Sequence, residues 1–151
     1  MKFVHTSVLE IAYEDDGPRD GSVVMLLHGW PDAPRGWHGV AQALQAAGWR
    51  TIVPYLRGSP PTRFLSQDTP RVGAAVALAQ DAIDLADALG LERFAVVGHD
   101  WGARTADAVH PDDLPRVLAA QSRSLERLLK TSAGELEDSF HLTIQAIHLI
   151  P

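Results

Sequence analysis

Apolar and polar positions along this chain alternate between two periodicities. Val23-Val24-Met25-Leu26-Leu27 is an unbroken apolar run, the mark of a strand buried on both faces of a sheet covered by helices. Residues 8–13 predict a further strand, placed at the sheet edge, that stops at the turn signal Asp15-Asp16-Gly17-Pro18. Between 36 and 47, Val40, Ala43, Leu44 and Ala47 recur at helical spacing, and Gly48 is placed to cap the C-terminus. Residues 50–56 read as a second central strand, and 57–67 as a loop rich in Gly, Ser and Pro. Thr69-Pro70 predicts a helix start, with a hydroxyl N-cap and proline at the first position. That helix runs to Leu89 and stops at Gly90. Residues 93–97 give a third central strand and 101–109 a helix. Strand and helix thus alternate, which implies a parallel α/β sheet with right-handed crossovers. Beyond Pro111, residues 116–121 suggest another strand and 122–131 a helix stopped by Gly134. Leu136, Phe140, Ile144 and Ile147 predict an amphipathic helix over 135–150. There is no internal repeat. The whole chain, 1–151, reads as one partial domain, with 122–151 as a helical tail.

Composition narrows the picture. The 151 residues are 46% apolar and 21% charged, ordinary for a soluble domain. A net charge of −6, with no basic block, leaves nothing to neutralise a row of phosphates and argues against nucleic acid. There are no cysteines, so disulfides, thiolate catalysis and Cys-ligated zinc are excluded. No apolar stretch is long enough to span a membrane, and acidic residues follow the first strand where a leader would need apolar ones. The expectation is a cytoplasmic protein without membrane attachment, cofactor or metal. Asp81, Asp84 and Asp87 recur every third residue. They are expected to form the solvated stripe of an otherwise apolar helix, since no His or further acid flanks them at ligand spacing.

The chemistry gathers at Gly98-His99-Asp100-Trp101-Gly102, directly after the apolar run Phe94-Ala95-Val96-Val97 and directly before a helix. Glycines two positions either side of Asp100 let a strand and a helix pass closely at a sharp turn. The central side chain is thrust out at the C-terminal edge of the sheet, where ligands bind in open α/β sheets. A carboxylate there can act as a nucleophile toward an sp³ carbon, forming an alkyl ester. Taken alone, the same five residues would equally suit a loop with a helix-capping Asp. A second turn, His28-Gly29-Trp30-Pro31-Asp32, follows the first buried strand. Two such turns, each after its own buried strand and in this order, outweigh that bland reading.

On these residues, together with Tyr55-Leu56-Arg57-Gly58 after the next strand, the chain resembles the α/β-hydrolase superfamily. The resemblance is to its Asp-nucleophile branch of epoxide hydrolases and haloalkane dehalogenases, and it covers roughly residues 20–120. It implies an α/β-hydrolase fold, a mostly parallel sheet flanked by helices, incomplete at the C-terminal side. It implies Asp100 as nucleophile and the backbone N–H groups of Trp30 and Trp101 as the oxyanion hole. His28, Gly29, Pro31 and His99 would line the site. Trp30, between the Gly and Pro of the first turn, favours an epoxide over a haloalkane. The family's general base, a His after the last strand, and the acid that orients it lie well downstream, whereas 49 residues follow Gly102 here. His141 and His148 share one face of the predicted last helix, but a helical His rarely falls within reach of a site by chance. The expectation is therefore an epoxide hydrolase-like hydrolase, haloalkanes second, in which Asp100 can be alkylated while the ester is cleaved very slowly. The opposing reading is an inert remnant that binds a small apolar molecule or a partner chain. A shortened sheet would expose an edge and favour self-association.

Overall fold

The computed structural model describes residues 1–109 and 146–150. Readings that fall on 110–145, including the strand at 116–121, the helix at 122–131 and His141, lie outside the described residues. Among the described residues seven strands form one sheet: β1 (Lys2–His5), β2 (Leu9–Asp16), β3 (Val23–Leu27), β4 (Arg50–Pro54), β5 (Arg63–Phe64), β6 (Phe94–Gly98) and β7 (Ala146–Ile150). Their order is β1-β2-β4-β3-β6-β7, with β5 pairing β2 outside that path. The central trio β4, β3 and β6 is parallel, and the flanking pairs are antiparallel. Three α-helices among the described residues accompany them: α1 (His38–Ala46), α2 (Ala75–Ala88) and α3 (Trp101–Ala108). None of the described helices is long and apolar enough to cross a membrane.

The unbroken apolar runs do what their pattern requires. All five residues of β3 and of β6 are buried. Alternate side chains enter two separate cores, because successive residues of a strand point to opposite faces. Val23, Met25, Leu27, Phe94 and Val96 pack with Leu78, Leu85, Ala103 and Ala106 of α2 and α3. Val24, Leu26, Ala95 and Val97 pack with Val40 and Leu44 of α1 and with Trp37 and Trp49. α1 and α2 both end where glycine predicted. Gly48 and Gly90 have φ of 89° and 63°. Trp49 N–H donates to Leu44 O and Leu91 N–H to Ala86 O, the bonds of a Schellman cap. Both residues beyond the glycine are buried.

Four expectations are corrected. Residues 9–13 lie in β2, which is interior, because Lys2–His5 folds back and takes the edge. α2 begins at Ala75, not at Thr69-Pro70. The Val72 carbonyl accepts from Arg57 Nη1 at 3.0 Å, and Ala74 is extended, so the chain before Ala75 is drawn away from the helix axis. The helix predicted over 135–150 is not what 146–150 adopt: they are strand β7, antiparallel to β6, with His148 opposite Val96 in the register. The exposed edge of β6 takes a partner strand there, a long-range demand that periodicity does not carry. Asp81 does not belong to a solvated stripe. It is 6% exposed, whereas Asp84 is half-buried and Asp87 exposed.

Candidate active site

The parallel strands β3 and β6 end side by side, with Leu27 opposite Gly98, so their two turns meet at one edge of the sheet. His99 N–H donates to Leu27 O at 3.1 Å and locks the two turns together. At Asp100 the chain reverses into α3 with φ 53° and ψ −117°. Among the described residues Asp100 is the only non-glycine with positive φ, a strained geometry that persists only where surroundings enforce it. The glycines do the enforcing. A Cβ on Gly102 would overlap the Leu27 carbonyl, and one on Gly98 would overlap the Gly102 carbonyl. Strand and helix therefore approach more closely than any side chain allows.

The carboxylate of Asp100 meets the first turn. Its Oδ2 accepts the Trp30 N–H at 3.0 Å, and the carboxylate also accepts the Trp101 N–H. These two donors, Trp30 first, hold the carboxyl below the usual carboxylate range. Asp100 therefore remains ionised in neutral and mildly acidic water. Gly29 makes the approach feasible, since a Cβ there would lie 2.6 Å from Asp100 Cβ.

His28 sits beneath this loop, 1% exposed. Its Nδ1–H donates to Gly29 O at 2.9 Å and its Nε2 accepts the Leu56 N–H at 3.2 Å. Both ring nitrogens are engaged in one neutral tautomer, and burial pushes the imidazole below the ordinary histidine value. His28 thus braces the peptide next to Trp30 and is not free to take a proton from water.

A cleft of about 160 Å³ opens beside Asp100. His28, Gly29 and Leu56 line it from the sheet edge, Trp30 and Trp101 from the two turns, and Arg57, Ser59 and Gly73 from the loop that precedes α2. Trp30 is 71% exposed and Trp101 38%, which leaves two aromatic faces at the mouth. Pro31, joined to Trp30 by a cis peptide, is exposed, and His99 is half-buried. Neither lines the cleft, so of the expected lining residues the structure brings His28 and Gly29 to it. Sequence reasoning missed Arg57 as a cleft residue. Its place in Tyr55-Leu56-Arg57-Gly58 was the available signal.

With the two turns and the carboxylate so arranged, the match to known proteins is decisive. The model of the alpha/beta hydrolase fold family matches residues 22–118. The chain belongs to the α/β-hydrolase fold family. It is similar to epoxide hydrolase 3 of Siraitia grosvenorii, 40% identical over 83 residues, covering 55% of this chain and 26% of that protein. It is also similar to epoxide hydrolase A of Mycobacterium tuberculosis, 32% identical over 133 residues, covering 83% of this chain and 39% of that protein. Among solved structures, a candidate epoxide hydrolase from Klebsiella pneumoniae superposes with a TM-score of 0.69 at 51% identity, over 70% of this chain and 35% of that one. The chain thus spans between about a quarter and two fifths of the length of these relatives.

Proposed function

We propose that this α/β-hydrolase chain carries the nucleophilic half of an epoxide hydrolase, with Asp100 forming an alkyl ester to an epoxide carbon. The observation that carries this reading is the Asp100 carboxylate with Oδ2 bonded to Trp30 N–H. One oxygen is held, which leaves Oδ1 as the attacking atom. Oδ1 bonds to a ring carbon, that carbon's bond to the ring oxygen breaks, and the ring oxygen leaves with the electron pair and takes a proton from water. Oδ2 is then the ester carbonyl oxygen. When water adds to Cγ, negative charge develops on Oδ2, which the Trp30 N–H already meets, and the Trp101 N–H beside the same carboxyl would be the second donor. Collapse expels the diol oxygen, which takes one proton of the added water while the other passes to solvent, and restores the carboxylate. One such donor is worth about 10²- to 10³-fold in rate. The epoxide hydrolase names of the similar proteins support the choice of electrophile, as does Trp30 at the mouth.

The test is the intact mass of the chain after incubation with a small epoxide and, separately, a small haloalkane. The expected result is one epoxide adduct, mapped by peptide sequencing to Asp100 and lost in Asp100→Asn. Its decay in water of altered oxygen isotope measures ester cleavage, and the heavy oxygen should appear in the Asp100 carboxylate. Labelling by the haloalkane alone would move the reading to displacement of halide. No adduct from either reagent, in a chain shown folded by circular dichroism, would sink it.

A further inference from the structure

Arg57 and Asp81 take no part in the chemistry above, yet they form the most buried ion pair among the described residues. Their side chains are 10% and 8% exposed, against 21% and 10% for Arg50 and Asp15. Arg57 Nε donates to Asp81 Oδ2 and Nη2 to Asp81 Oδ1, each at 2.6 Å, a two-pronged contact to α2. Nη1 turns the other way and donates to Val72 O at 3.0 Å. The guanidinium also lies 5.6 Å from the centre of the Phe64 ring, which Arg71 covers at 4.0 Å. Phe64 is anchored in turn by the pairing of β5 with β2. One side chain at the start of the 57–74 loop therefore binds the middle of that loop, its far end, and the helix that follows.

This loop brings Arg57, Ser59 and Gly73 to the cleft that Trp30 and Trp101 also border. A buried ion pair is poor at stabilising a fold, because desolvation offsets most of the attraction. Its geometry accounts for it better: three separate contacts fix the wall facing the aromatic residues.

We propose that the Arg57–Asp81 pair is a clamp that sets the 57–74 loop as one wall of the substrate cleft, so that Arg57 is a positioning residue for substrate binding and not for attack by Asp100. This rests on the epoxide reading of the same site. The test replaces both partners, Arg57→Met with Asp81→Leu, which leaves no unpaired buried charge. Alkylation of Asp100 by a phenyl-substituted epoxide is followed by intact mass at rising concentration. The half-saturating concentration should rise about tenfold while the limiting rate changes less than about twofold, a split that a merely structural role would not produce. An unchanged half-saturating concentration, or a fall in the limiting rate alone, overturns the clamp. If the double variant does not fold, Arg57→Lys serves, since it keeps the charge but loses the two-pronged contact and the bond to Val72. If the unaltered chain is never alkylated, the epoxide chemistry has failed by itself. The clamp is then judged by tryptophan quenching on titration with the same epoxide. Weaker binding by the double variant upholds it, and equal binding, or none to either chain, overturns it.

Discussion

Asp100 is held by two opposing demands, a backbone that glycine would adopt more readily and a side chain that only a carboxylate supplies. The strained φ of 53° puts the carboxyl against the Trp30 N–H, and the close packing of Gly98, Gly102 and Gly29 keeps it there. Gly29→Ala should therefore act directly on Asp100, the proposed nucleophile. With a Cβ 2.6 Å from Asp100 Cβ, the two turns must separate, and alkylation should slow by about a hundredfold. Comparing labelling rate with thermal midpoint separates this from unfolding. The lowered pKa of Asp100 makes a second prediction. Its N–H partners favour the charged form, so alkylation should be independent of pH from neutrality down to the ordinary value of 3.8 and fall only below it. A profile that falls between pH 6 and 5 would show that another group controls the step. This site was legible in advance because its parts are local: strand, Gly-x-Asp-x-Gly and helix adjoin in sequence.

Elements show where local reading stops. Gly48 and Gly90 announced helix ends because a left-handed cap is decided within five residues. The stripe of Asp81, Asp84 and Asp87 misled because three residues advance a helix by about 300°, not a full turn. Each Asp is offset about 60° from the last, so the three spread over about 120° of the helix and the first of them turns toward the core. The observed gradient from buried Asp81 to exposed Asp87 follows that drift. Arg57, on a different element, then neutralises the one acid carried inward. This fixes the expected stabilities. Asp81→Leu alone leaves Arg57 buried and unpaired, and should cost about 3–5 kcal/mol. Adding Arg57→Met should recover most of that loss. Urea unfolding of the three chains reads both, and a single variant as stable as the double would mean that water reaches the pair.

Across the whole molecule, acid should act in two stages. Burial lowers the pKa of His28 in the folded state, so between that value and 6.5 the unfolded chain binds more protons than the folded one. Stability therefore falls as pH drops through this window, and His28→Gln should flatten that part of the curve. Asp15 has the opposite origin. Arg50 first, and Lys2 as well, hold its carboxyl low, so its contribution is full above 3.8 and is lost as pH falls through the lower folded value. Thermal midpoints measured from pH 8 to 3 for both chains would resolve the stages. A His28→Gln curve parallel to the parent between pH 7 and 5 would remove His28 as the cause.

Some of this protein follows from neighbours along the chain. Unbroken apolar runs and helix stops at glycine are settled by residues a few positions apart, and the two turns could be read because each directly follows its own buried strand, although contacts between distant residues hold them in place. Other features needed the folded molecule. β1 displaces β2 from the edge, β7 completes the exposed side of β6, and Arg57 reaches 24 residues along the chain to Asp81. Such pairings depend on which distant backbone edge or buried charge is left unsatisfied after the core assembles, and a linear pattern holds no record of that.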